Sequence, residues 1–301
     1  MTDKLLEKRA LIDSYLGRGG YYLSPFSFIN IFAWQDFFDF NLCVIDGSLC
    51  VFASDGLGSF LYLPPLGREG RPSGNSISRC FGLMDKINSG SGIGRIENVP
   101  AWQLDLFCGS RFSVYMKGYE YCYYKKDIIA LKGRRYKSKR SDYNRFVVNN
   151  RYSYLSFGPE MIDECIGLYQ RWMADRKKAC SDDIYQHMLD ENLKVHQRLL
   201  AYYDELNLIG SVVIVDGKIR AYTFGYELRE DVFCVLLEVA DLSYRGLPVF
   251  IFRQFCADDR LGKYKFINAM DDSGIEGLKR AKMSFAPSVI FPLYTVRMKD
   301  Q

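Results

Sequence analysis

Residues 209–226 read IGSVVIVDGKIRAYTFGY, and this stretch decides the fold. Two runs rich in β-branched and aromatic residues, Ile209–Val215 and Ile219–Tyr226, flank Asp216-Gly217. An Asp-Gly pair between such runs predicts a two-residue hairpin, because both turn residues must take positive φ. A third run, Val232–Val239, predicts another strand, so three strands follow one another. Upstream, a strand at Tyr152–Phe157 precedes two helices, from about Pro159 to Lys177 and from about Asp182 to Asn207. Downstream come a helix at Pro248–Asp258, a strand at Tyr264–Asn268, a helix at Gly274–Met283 and a strand near Leu293–Val296. This is an α+β order.

The first half repeats the grammar in weaker form. A helix in the first twenty-five residues ends at Gly19-Gly20, and an aromatic run spans Pro25 to Phe40. Strands at Leu42–Ile45 and Leu49–Ala53 flank a second Asp-Gly pair, Asp46-Gly47. A strand at Phe60–Leu63, a loop at Gly67–Ser76, an amphipathic helix at Ser76–Ile87 and a strand at Ile93–Val99 follow. The reading gives two domains, 1–149 and 150–301, with a basic helix at 132–148 bridging them.

A length of 301 residues and 48% hydrophobic content suit two ordinary domains with real cores. The net charge of +4 is too mild to announce a nucleic-acid binder, so what matters is where the charge sits. Nine scattered cysteines without a CxxC pair point to reduced thiols and a cytoplasmic chain. With only His187 and His196, no zinc constellation assembles. No apolar run is long enough for a membrane span.

Three segments could carry chemistry. The first, 132–146, holds Lys132, Arg134, Arg135, Lys137, Lys139, Arg140 and Arg145 against the single Asp142. As a helix it places Tyr136, Tyr143 and Val147 on one stripe and the cations around the rest. That suits a polyanion or a merely solvated surface. The second runs from Leu236 to Pro248. Glu238 interrupts an apolar strand, where an ionised carboxylate is costly. Two roles fit it: a general base with a raised pKa, or a carboxylate paired with a core cation. Tyr244, Arg245 and Gly246 lead into a helix with Pro248 in its first turn, an arrangement that aims backbone amides at an anion. In the third segment a strand delivers Asn268 and Asp271 to a strand–helix junction. Ser273 and Glu276 have capping-box spacing, and Lys279 and Lys282 share a helix face where they could meet an anionic group.

Leu131–Arg140, Asn268–Lys282 and Ser27–Trp34 together resemble a bacterial family grouped with the C-terminal catalytic domain of phosphatidylglycerol lysyltransferases. The resemblance implies two tandem GNAT-like (acyl-CoA N-acyltransferase) domains, each a mixed central sheet flanked by helices. The first would be degenerate and the second would carry the active site. Relatives of this kind pass an aminoacyl group from tRNA to a lipid headgroup, and Fem-type aminoacyltransferases share the architecture. The resemblance places the helix bearing Lys132, Arg134, Arg135, Lys137, Lys139 and Arg140 against a tRNA acceptor stem. It matches Tyr244, Arg245 and Gly246 to the pyrophosphate turn of acetyl-CoA enzymes, with Pro248 where a second glycine is usual.

The expected function is an acyl- or aminoacyl-transferase with no tightly bound cofactor. It would use aminoacyl-tRNA or acyl-CoA as donor and an amine or hydroxyl, of a small molecule or headgroup, as acceptor. Glu238, Asp271 and Asn268 are the expected catalytic residues. Tyr244, Arg245, Gly246, Lys279 and Lys282 are the expected donor-phosphate ligands. The alternative is a GNAT-like ligand- or RNA-binding protein without chemistry. A cleft lined by Glu238, Asn268 and Asp271 would favour the enzyme.

Overall fold

The computed structural model describes residues 3–17, 22–67, 70–72 and 75–299, so the Gly19-Gly20 break and part of the 67–76 loop lie outside it. The chain forms two compact units. One holds Met1–Glu120 with Asp271–Gly274 and Ile290–Gln301. The other holds Tyr121–Met270 with Ile275–Val289. The grouping differs from a division at 149, because the basic segment packs within the second unit.

In the first unit, α1 (Arg9–Leu16) and α2 (Phe28–Ala33) precede three strands, β1 (Asp39–Ile45), β2 (Ser48–Ser54) and β3 (Ser59–Leu61). Ser27 caps α2 by accepting from the Asn30 amide at 3.0 Å. Asp46 and Gly47 both take positive φ, 49° and 76°, and close the β1–β2 hairpin with Ile45 opposite Ser48. Then come α3 (Ser76–Ile87), β4 (Arg95–Pro100) and β5 (Phe112–Tyr124). The thirteen-residue β5 is absent from the sequence reading. Its run FSVYMKGYEYCYY mixes Lys117 and Gly118 with consecutive aromatics, so no two-residue alternation shows.

The second unit continues with α4 (Lys125–Ala130), α5 (Lys137–Asn149), β6 (Tyr152–Ser156), α6 (Ile162–Ala179) and α7 (Asp183–Ala201). An antiparallel meander follows: β7 (Ile209–Val215), β8 (Lys218–Arg229) and β9 (Val232–Ala240). Asp216 and Gly217, at φ 51° and 69°, make the turn that the sequence announces. After α8 (Leu247–Cys256), β10 (Phe266–Asn268) lies parallel to β9 and antiparallel to the last residues of β5. Helix α9 (Glu276–Met283) leads to β11 (Val289–Met298), most of which lies in the first unit beside β4. The second unit's strands run β10-β9-β8-β7-β6.

Helix α8 packs on one face of this sheet and α5 packs on α8. Phe146, Leu247, Phe250 and Ile251 are buried with Val213, Val215, Ala221 and Ala240. Tyr143 stacks on Phe250 at 5.6 Å and Val147 packs at the margin, whereas Tyr136, expected on the same stripe, is buried in the turn before α5. Phe146 is the most deeply buried α5 residue of this contact. The opposite face carries α6 and α7. There His196 shares a 2.8 Å hydrogen bond with Tyr222, and burial lowers its pKa to about 3, so the imidazole is neutral.

The expected capping box on α9 does not form. Ser273 sits at φ 50° and bonds Asp271, while Ile275 occupies the N-cap. The left-handed residues Ser273 and Gly274 turn the chain before the helix starts, so Ser273 lies two residues too early to cap it.

Candidate active site

Parallel pairing between β9 and β10 lasts only from Val232 to Cys234, opposite Phe266 to Asn268. Beyond it, Val235–Ala240 are paired to β8 alone among the described residues, which leaves one backbone edge of β9 open. A bulge falls at the same place: Gly225 pairs with Val235 and Phe224 with Leu237, so Leu236 is the extra residue. An open edge beside a bulge offers backbone N–H groups to a ligand carbonyl.

Glu238 stands two residues past the bulge, opposite Thr223. Neighbouring Tyr222 points to the α7 side, so Thr223 and Glu238 point to the α8 side. The Glu238 side chain is open to water. Its carboxyl is nonetheless raised to about 8 by desolvation, against the weaker pull of Thr223 and Lys282 toward the anion. Thr223 is fully buried, and its hydroxyl makes no hydrogen bond of normal geometry; the Glu238 carboxylate is the acceptor it favours. Cys256, at the end of α8, lies close enough that burial and then the Glu238 charge push its thiol up.

Asn268 does not join this group. Tyr123, Ile267 and Phe233 lie abreast on the α8 face, since Tyr123 meets Phe252 at 5.9 Å and Phe233 meets Phe255 at 5.6 Å. Asn268, the next residue, therefore points to the opposite face with Cys122 and Cys234. It is fully buried, and its Oδ1 accepts from the Met270 amide at 2.6 Å, which fixes the turn after β10. The strand's two-residue period separates Asn268 from Glu238.

Asp271 belongs to the first unit and accepts from the Ser273 amide and hydroxyl at 3.3 and 3.4 Å. In that unit, burial and then the charges of Asp271, Glu120 and Glu97 raise the Tyr62 phenol. Tyr62 donates to Asn30 at 2.5 Å, and Glu120, 1% exposed, accepts from the Ser24 amide and hydroxyl.

Around the expected anion turn, Tyr244 donates to Asp216 at 3.2 Å and lies under Arg220. Arg245 is exposed and unpaired among the described residues. Gly246 has φ 91°, and a Cβ there would come 2.0 Å from the Asp142 carbonyl of α5. The amide of Leu247 is committed to Tyr244 O at 3.1 Å, and Pro248 has none. At Leu247 and Pro248 the turn thus has no free amide to offer an anion. Lys282 donates to the Ala269 carbonyl near the end of β10 and lies 5.8 Å from the Tyr121 ring, whereas Lys279 is exposed.

The basic segment divides likewise. Arg135 pairs with Asp127 at 2.9 Å, Arg140 donates to the carbonyls of Leu131 and Gly133, and Lys139 covers Phe285 at 4.4 Å. Lys132, Arg134, Lys137 and Arg145 are exposed, with no ion pair among the described residues.

The family model of phosphatidylglycerol lysyltransferase, C-terminal, matches residues 21–297. The chain belongs to this family. A Bacteroides thetaiotaomicron conserved protein of unknown function superposes with a TM-score of 0.85 at 26% identity, over 98% of this chain and 97% of that one. L-PGS from Bacillus licheniformis gives 0.64 at 16% identity, over 97% and 92%. A tandem GNAT protein from the clavulanic acid biosynthesis pathway gives 0.51 at 9% identity, over 100% and 96%. No curated protein matches the chain in sequence. The fold is thus α+β and GNAT-like in tandem, and this lysyltransferase C-terminal family places the chain among aminoacyl- and acyl-transferases. Among the described residues, no helix is long and apolar enough to cross a membrane, and no group of His, Cys, Asp and Glu forms a metal site.

Sequence reasoning missed the bulge and Thr223. Only strand register reveals them; a threonine in a strand carries no signal of its own.

Proposed function

We propose that the chain transfers an aminoacyl group from an ester on tRNA to an amine or hydroxyl acceptor, with Glu238 as general base. The single observation that carries this reading is Glu238 itself: a desolvated yet reachable carboxyl beside an open strand edge. The acceptor's nitrogen or oxygen attacks the ester carbonyl, and an N–H of the β9 edge receives the developing oxyanion. Glu238 takes the acceptor's proton and returns it to the departing ribose oxygen as the ester C–O bond breaks. The depleted Tyr244–Pro248 turn favours a tRNA ester over an acyl-CoA donor. Exposed Lys132, Arg134, Lys137 and Arg145 supply cations for a nucleic-acid backbone.

The test is transfer of radiolabel from aminoacyl-tRNA, with acetyl-CoA in parallel, to a panel of amines and polyols. Transfer from aminoacyl-tRNA that Arg134→Glu with Lys137→Glu weakens at moderate salt supports the reading. Each lost phosphate contact should flatten the salt dependence by about 0.7–0.9 in log–log slope. Transfer from acetyl-CoA alone overturns the choice of donor.

A further inference from the structure

Three cysteines meet in the first unit, away from the site described. Cys43 on β1 is exposed, while Cys50 on β2 and Cys80 on α3 are fully buried. Cys43 and Cys50 are direct partners in the antiparallel ladder, so their side chains share a face, with Cβ atoms about 4.5–5.5 Å apart. The sulfurs of Cys50 and Cys80 lie 3.4 Å apart. The three thiols therefore form a line from solvent to core, each within reach of the next. We propose that this line is a thiol-oxidation relay, in which a hydroperoxide oxidises Cys43 and the oxidation ends as a buried Cys50–Cys80 disulfide.

Each step balances. Cys43 thiolate attacks the peroxide O–O bond, giving Cys43 sulfenic acid and, for hydrogen peroxide, one water after proton transfer. The Cys50 thiol attacks the sulfenyl sulfur, forming a Cys43–Cys50 disulfide and releasing a second water. Cys80 then attacks the Cys50 sulfur, and Cys43 leaves as thiolate and takes the proton that Cys80 gives up. Two thiols lose two electrons, the peroxide is reduced to two waters, and Cys43 is regenerated. The product ties β2 to α3 across a contact that is already made. Burial and the neighbouring thiol hold the Cys43 pKa up, and the hydrogen bond to Cys80, then burial, raise that of Cys50. The first step is therefore slow at neutral pH and accelerates about tenfold per pH unit as the thiolate fraction grows.

The experiment exposes the whole protein to hydrogen peroxide at pH 8.5, alkylates the remaining thiols and maps peptides without reduction. The wild type should yield a Cys50–Cys80 cross-link with Cys43 alkylated. Cys43→Ser, at an exposed position, should slow that cross-link at least tenfold, and Cys80→Ala should stop the reaction at Cys43–Cys50. A cross-link that forms equally fast in Cys43→Ser overturns the relay. So does a wild type in which Cys43 proceeds to sulfinic acid while Cys50 and Cys80 stay reduced.

Discussion

Glu97 in the first unit and Glu238 in the second are both carboxylates on inner strands, yet their surroundings are opposite. Glu97 is met by Arg95 at 2.5 Å, Lys117 at 3.1 Å and Thr295 at 2.8 Å. Burial pushes its carboxyl up, but Lys117, Arg95 and Thr295 outweigh it and hold the group below its usual range. Among the described residues Glu238 has the Thr223 hydroxyl and the field of Lys282 to favour its anion, and desolvation prevails, to about 8. A carboxylate with enough donors is a structural member; one starved of donors yet reachable by water is equipped to exchange a proton.

Substituting each residue by its amide breaks the comparison most directly. Glu238→Gln keeps the shape but cannot accept a proton, so turnover should fall on the order of 10² to 10⁴-fold with no loss of unfolding midpoint. Glu97→Gln should leave turnover near wild type and cost about 1.5–3 kcal/mol, the worth of a charge-assisted hydrogen bond. Rate assays paired with denaturant unfolding read both effects. If Glu238→Gln melts early with turnover intact, the roles are reversed.

Thr223→Val sharpens the comparison on a smaller scale. It conserves volume and removes the one hydroxyl that favours the Glu238 anion, so the carboxyl should rise further. The pH profile of kcat/KM, expected to climb to a plateau above about 8, should shift alkaline by roughly a unit or less. An unmoved profile would place the titrating group elsewhere.

The hairpins at Asp46-Gly47 and Asp216-Gly217 were legible because their turns demand positive φ and few residue pairs supply it. Glu238 was legible as a charge inside an apolar run. Asn268 looked equivalent on that ground but lies on the other face, and its amide serves the turn to Met270. Composition cannot distinguish the two, because facing depends on strand register and on the bulge at Leu236. The cations at 132–145 were legible as a cluster, but which of them solvent keeps free depended on partners at Asp127, Leu131, Gly133 and Phe285. The compact units are grouped differently from a division at 149 for a related reason: Tyr143 and Phe146 of α5 have their partner, Phe250, about a hundred residues away in sequence.

The smallest expected effect concerns stability against pH, and here the two carboxylates should differ in sign. For Glu238 the folded pKa, about 8, exceeds the unfolded value near 4.5. As pH rises from 4.5 to 8 the unfolded chain sheds this proton while the folded chain keeps it, so the residue progressively favours unfolding. Glu238→Gln removes that penalty, and its midpoint should rise relative to wild type across this window and level off above 8. Water reaches the side chain, so the gain is modest. For Glu97 the folded pKa lies below the unfolded one, so its contribution is present above about 4.5 and lost as pH falls through the folded value. Glu97→Gln should therefore be destabilised at pH 7 and converge on wild type in acid. Thermal unfolding of the three proteins between pH 3 and 9 tests both signs. A Glu238→Gln midpoint that tracks wild type at every pH would mean that bulk water solvates the carboxyl, and Glu238 would lose its claim to be the general base.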